Sequence, residues 1–119
     1  MSDAIKHECG IALVRLLKPL EFYKEKYGTA FYGLNKMYLM MEKQHNRGQD
    51  GAGLASIKLN MEPGERYISR IRSIDAQPIQ DIFSQMNERI NNELLAHPEY
   101  ADNVTLQKKN LPYIGELYL

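Results

Sequence analysis

One cysteine stands in the chain, Cys9, at the head of Cys9-Gly10-Ile11 and behind a polar leader, residues 1–8, that could be cut off. A thiol is a strong nucleophile, but only as its thiolate, and with no second cysteine an internal disulfide, a Cys-based zinc site and an iron–sulfur cluster are excluded. His7, His45 and His97 lie far apart, and no two share the spacing that sets two ligands on one helical face. No metal site built from protein side chains is therefore expected. A second string, Gln44-His45-Asn46-Arg47-Gly48-Gln49-Asp50-Gly51-Ala52-Gly53, gathers polar side chains and glycines into one turn. It lacks the Gly-Lys-Ser/Thr of a phosphate-binding loop and the glycine spacing of a dinucleotide fingerprint, so phosphate binding there is not expected.

The elements that must position these strings follow from periodicity. Residues 9–17 carry Ile11, Leu13, Val14, Leu16 and Leu17 and read as a buried strand beginning near Cys9. Residues 18–27, charged and aromatic with Pro19, fit a loop or a short turn of helix. Behind Thr29 as N-cap, Ala30, Phe31, Leu34, Met37, Tyr38 and Met41 recur at helical spacing, which predicts a helix ending near His45. The glycine-rich turn precedes a strand over residues 54–59. Pro63-Gly64 then turns the chain into a partner strand within residues 66–74, a hairpin.

Pro78 suits a first helical turn, and Ile79, Ile82, Phe83, Met86, Ile90 and Leu94 extend a second amphipathic helix to about Ala96. Residues 101–110 are polar, with room for one or two helical turns, and Lys108-Lys109 reads as a solvated face. After Pro112, the apolar set Tyr113, Ile114, Leu117, Tyr118 and Leu119 predicts a strand in which the given chain ends, an edge expected to be unpaired. Met37, Tyr38, Met40 and Met41 read as core.

Taken in this order, Cys9-Gly10-Ile11 and Arg47-Gly48-Gln49-Asp50-Gly51-Ala52-Gly53 resemble the class II, N-terminal-nucleophile glutamine amidotransferases, and the second string is nearest to the amidophosphoribosyltransferases. The resemblance covers residues 8–56, extends weakly through residues 66–83 and fades over residues 84–110. In the family a histidine directly precedes Arg-Gly-Gln. Here Asn46 separates His45 from Arg47, so no role passes to His45. The pair of strings turns the reading of Cys9 from a small packed hydrophobe to a nucleophile.

The resemblance implies an α+β fold, a partial N-terminal-nucleophile hydrolase αββα sandwich in which antiparallel sheets lie between helical layers. It divides the chain into a leader, residues 1–8, that processing would remove, and an incomplete glutamine amidotransferase type-2 domain, residues 9–119. Removal of the leader would put a free α-amine, of ordinary pKa about 8, on a residue whose thiol is mostly protonated at neutral pH. In the implied mechanism the Cys9 thiolate attacks the side-chain amide of glutamine, the residue's own amine shuttles the proton, ammonia leaves from a thioester, and water releases glutamate. Arg47 would hold the nucleophile's surroundings and the Gly48 backbone would receive the amine. In the family the Asn-Gly oxyanion pair and the arginine and aspartate that clamp the substrate come later than the position of Leu119. Residues 1–119 alone are therefore expected to be inactive.

The implied partners are glutamine, the remainder of the amidotransferase and a phosphoribosyl-transferring domain of purine synthesis, with no cofactor in this chain; whether copies assemble into a homo-oligomer stays open. Two rivals remain. One is a non-catalytic relative acting as a glutamine-binding or partner-binding module, and the other is an unrelated structural α+β domain. The whole-chain numbers suit any of the three. Fifteen basic residues balance fifteen acidic ones, so no global field steers the chain to nucleic acid or a membrane surface. The apolar content of 44% is that of an ordinary packed domain, no apolar run approaches the ~20 residues that span a bilayer, and residues 1–8 lack the apolar stretch of a secretory signal. A cytoplasmic protein is expected.

Because a lysine lacks the planar fork of arginine, Arg47→Lys is expected to recover only part of the single-turnover glutaminase rate lost in Arg47→Ala, measured on the complete protein. Equal rates for the wild type and Arg47→Ala would remove Arg47 from the site.

Overall fold

The segments on either side of Pro63-Gly64 fold back on each other and make the longest ladder among the described residues. The computed structural model describes residues 10–44 and 51–119. In it β1 is the short strand Val14–Arg15, while β2 (Ala52–Ile57) and β3 (Ile68–Ser73) pair antiparallel from Ala52↔Ser73 to Ile57↔Ile68. The turn between them takes left-handed backbone at Asn60 and Gly64, residue types that tolerate it. The hairpin is as expected, with its first strand set two positions earlier, at 52–57 rather than 54–59.

β4 (Leu117–Tyr118) completes one four-stranded antiparallel sheet in the order β1-β4-β2-β3. The unpaired C-terminal edge expected from the sequence is corrected, because β4 lies inside the sheet between β1 and β2. Leu119 exchanges both backbone hydrogen bonds with Ala55, at 3.0 and 2.9 Å. The chain is turned back into the sheet by Tyr113, held at φ 63°. The Tyr118 hydroxyl closes that turn by accepting from the Gly115 amide (3.1 Å) and donating to the Tyr113 carbonyl (3.2 Å).

The buried strand expected over residues 9–17 is also corrected. Over its described part, residues 10–17, regular pairing is confined to Val14–Arg15, and burial alternates: Ala12, Val14 and Leu16 turn inward, whereas Ile11 and Leu17 are 84% and 82% exposed. A strand at the margin of a sheet covered on one face buries only every second residue.

Four helices accompany the sheet among the described residues. α1 (Leu20–Tyr27) fills the charged, aromatic stretch, starting behind Pro19 and stopping at Gly28, whose left-handed backbone sends its amide to the Lys24 carbonyl at 2.9 Å. α2 (Tyr32–Gln44) follows a turn fixed by the Thr29 hydroxyl, which accepts from the Phe31 amide at 3.0 Å. α3 (Pro78–Ala96) occupies the range its periodicity predicts. After a single 3-10 turn, Pro98–Tyr100, α4 (Val104–Asn110) is capped by Asn103, whose side chain accepts from the Leu106 amide at 3.0 Å.

The main core joins Leu34 and Met37 of α2, Ile79, Ile82, Met86 and Ile90 of α3, and Leu54 and Tyr118 of the sheet. Tyr38 and Met41 pack against it, as their spacing predicts. A second cluster gathers Leu16, Leu20, Tyr23, Tyr100, Leu111 and Ile114 under α1 and α4. Both clusters draw on one face of the sheet. The opposite face carries Leu13, Ile57, Ile68, Leu117 and Leu119, and none of these belongs to either cluster. The protein is thus a mixed α+β structure with an antiparallel sheet covered by helices on one side. No helix among the described residues is long and apolar enough to cross a membrane.

Gly115 sits where β4 meets the end of β2, and a Cβ there would collide with the Ile57 carbonyl oxygen. Since that neighbour is backbone, Gly115→Ala should lower stability by about 2 kcal/mol, read from urea unfolding of the whole chain. An unchanged midpoint would show that the contact is slack.

Candidate functional site

β1 and β2 each pair antiparallel with β4, so they run parallel to each other, and Val14 and Ser56 are both level with Tyr118. The segment that enters β1 and the segment that enters β2 therefore arrive at the same end of the sheet, with one strand between them, about 10 Å apart. Ser73 at the close of β3, Leu119 and the first turn of α3 stand at this end too. Cys9, Arg47 and Gly48, like the rest of 1–9 and 45–50, lie outside the described residues. What the structure gives is their immediate frame: Gly10 on one side, and the helix α2 and Gly51 on either side of the second string.

Gly51 fixes one side of that frame. A Cβ at this position would come 2.8 Å from the Ser73 carbonyl oxygen and 3.6 Å from Ile74 Cγ2, so the chain enters β2 in contact with the backbone of β3. At Gly53 a Cβ would meet only ordinary contact, 3.5 Å from Arg72 Cβ. The two glycines read alike in the sequence, but only Gly51 is demanded by close approach.

Beneath Gly51, Ser73 organises the passage from β3 to α3. Its hydroxyl donates to Asp81 Oδ2 at 2.5 Å and accepts from the Asp75 amide at 3.1 Å. Asp75 in turn accepts from the Gln77 amide at 3.1 Å, and Gln85 Nε2 donates to Asp81 at 2.9 Å. The hydrogen bonds from Ser73 and then Gln85 favour the carboxylate and hold the Asp81 carboxyl below its ordinary value. Asp81 lies in the first turn of α3, where a negative charge also suits the helix dipole. Immediately before Asp81, Gln80 donates to the Tyr38 hydroxyl at 3.2 Å, and Tyr38 meets Phe83 edge-on at 4.9 Å, which ties the middle of α2 to α3. Both flanks of the second string are thus anchored on the start of α3. The sequence shows Asp81 as an acidic first-turn residue, but nothing in it announces Ser73 as the partner.

A cavity of about 520 Å³ lies at the opposite end of the sheet, between the residues that leave β1 and β2 and those of α4. Lys108, expected on a solvated face, is instead a half-buried clasp there. Its ammonium pairs with Glu116 at 2.6 Å and donates to the Leu59 carbonyl at 2.6 Å, while Glu116 Oε1 accepts from the Leu59 amide at 2.9 Å. These bonds join α4, β4 and the exit of β2, with each charge answered. Lys58 is buried alongside. Its pKa is lowered by desolvation first and then by Lys108 and Arg66, against the pull of Glu65 and Glu116. Among the described residues this end shows no nucleophile paired with a base, and the Lys108–Glu116 pair acts as structure. Among the described residues no group of three or more His, Cys, Asp or Glu side chains could hold a metal ion.

No family model, no curated protein and no solved structure matches the chain.

The Asp81 network carries a pH signature. The folded pKa lies below the ordinary 3.8, so the unfolded chain takes up this proton first. Its stabilisation is present above that value and disappears as pH falls through the lower folded one. Between about pH 5 and about pH 2.5 the wild type should lose more unfolding free energy than Asp81→Asn. Parallel losses in urea titrations would show that Ser73 and Gln85 do not favour the charged form.

Proposed function

We propose that this chain is the glutamine-hydrolysing portion of an amidophosphoribosyltransferase-like enzyme, releasing ammonia from glutamine through a thioester on Cys9. The observation that carries the reading is the parallel course of β1 and β2 on either side of β4. The residue after Cys9 and the residue after the Arg47-Gly48-Gln49-Asp50 string lead to the same end of one sheet, although some forty residues of chain separate the two strings. A chance pair of strings gives no reason for the segments that follow them to reach one sheet end. The contact of Gly51 with the Ser73 carbonyl gives a physical reason for a glycine at that place in the string.

The finer fold, an αββα sandwich, is supported by the one-sided sheet. Helices cover the face that carries Leu54 and Tyr118, and the other face offers Leu13, Ile57, Leu117 and Leu119. In a sandwich of that kind a second sheet would cover those residues.

In the proposed reaction, the leader is removed and the new α-amine of Cys9 accepts the thiol proton. Sγ attacks the amide carbon of glutamine, the C–N bond breaks, and the departing nitrogen takes a proton from the amine to leave as ammonia. Water, deprotonated by the same amine, adds to the thioester and releases glutamate. Arg47 would supply a fixed positive charge beside the nucleophile, and the Gly48 carbonyl would orient the amine. The ammonia would then pass to a phosphoribosyl acceptor on a separate domain.

A diazo-ketone analogue of glutamine should label Cys9 alone in the processed, full-length protein. Cys9→Ser should abolish the labelling and lower glutaminase activity on the order of a thousandfold or more, while activity with free ammonia persists. Labelling that survives the substitution removes the assignment. Retention of residues 1–8 on every molecule from the native host favours a non-catalytic, glutamine-binding relative.

A further inference from the structure

β3 is the outer strand of the sheet, and no described strand pairs with its far side. The Lys58 amide donates to the Tyr67 carbonyl at 2.7 Å, which fixes the alternation of the ladder. Tyr67, Ser69, Ile71 and Ser73 turn their backbone groups to β2, and Ile68, Arg70 and Arg72 turn theirs outward. The same alternation puts the side chains of Arg70 and Arg72 on the helix-free face, opposite Ala55 and Gly53, which are too small to cover them.

A groove of about 480 Å³ follows this edge, lined by Arg66, Ile68, Arg70, Arg89 and Tyr113 among others. Arg89 enters from α3, where its guanidinium donates to the Tyr113 hydroxyl at 3.1 Å and lies 5.6 Å from that ring's centre. Glu65, the one acidic residue in the lining, approaches Lys109 at 3.9 Å. Among the described residues no carboxylate forms an ion pair with Arg66, Arg70 or Arg72. The edge therefore combines free backbone donors and acceptors with a row of unanswered positive charges.

We propose that this edge receives an extended acidic segment of a partner protein, added as a further strand beside β3. The spacing selects the ligand. Arg66 and Arg70 are four positions apart on extended chain, about 13 Å, which exceeds the reach of one phosphate group but matches carboxylates on one side of a strand. A second copy of this chain is disfavoured, since antiparallel pairing of two β3 edges sets arginines against arginines. The bound segment would carry Glu or Asp at alternate positions beside Arg70 and Arg72, with an apolar residue toward Ile68. The proposal stands independently of the glutaminase reading.

The test uses the whole chain and a short capped peptide alternating glutamate with valine. Binding followed by fluorescence anisotropy should weaken as salt is raised, and hydrogen exchange should slow at the amides of Ile68, Arg70 and Arg72. Arg70→Gln combined with Arg72→Gln should weaken binding about tenfold or more. Arg70→Glu combined with Arg72→Glu should shift the preference to a lysine–valine peptide, an outcome that loss of folding cannot imitate. The proposal is overturned if a glutamine–valine peptide or inorganic phosphate occupies the edge as well as the acidic peptide does. It is equally overturned if the three amides stay unprotected, or if they are already protected through self-association of the chain.

Discussion

The fold depends on the burial of Tyr118. Its ring lies against Gly33 of α2, where a Cβ would come within 2.9 Å of Tyr118 Cδ2, so helix and strand approach as closely as a glycine permits. Its hydroxyl closes the turn from Tyr113 to Gly115, and burial pushes the phenol well above its usual range, which keeps it neutral and able to donate. With that side chain seated, β4 is held inside the sheet. β1 and β2, pairing on either side of it, can only run parallel to each other. The arrival of the segments that enter β1 and β2 at one sheet end follows from this, so a tyrosine outside both strings sets the frame of the candidate site.

The two ends of the sheet divide the work. At one, Gly51, Ser73 and Asp81 use small side chains and short hydrogen bonds to bring β2, β3 and α3 into contact where the chain enters β2. At the other, Lys108 and Glu116 pair in a place too shielded for a solvated surface and join α4 to the strands. Breaking such a pair by removing one partner leaves a shielded charge without its counterion, which explains why both ions are also bonded to the Leu59 backbone. In the cavity at this end Lys108 and Glu116 are therefore spent on one another and on the Leu59 backbone.

The uncovered face and the arginine edge meet along β3. Apolar residues occupy the middle of the helix-free face, and arginines occupy its margin. Charged residues on an outer strand oppose indiscriminate pairing while leaving the backbone open to a partner of opposite charge. The two features suit different kinds of contact, broad apolar packing for the face and directional pairing for the edge.

Local periodicity by itself determined much of this protein. The α3 range from Pro78 to Ala96, the inward faces of α2 and α3 and the β2–β3 hairpin all follow from residue spacing and turn chemistry, which act within a few residues and need no knowledge of the rest. The two strings that suggest thiol chemistry were legible as well, in residue type and order. The tertiary structure alone decided that the C-terminal strand is internal, that the apolar run after Cys9 buries only alternate residues, and that Lys108 is a clasp. It alone separated Gly51 from Gly53 and paired Ser73 with Asp81. Each of these rests on contacts between segments far apart or on opposite sides of a turn, and a side chain's own sequence neighbours carry no signal of what a distant strand will place beside it.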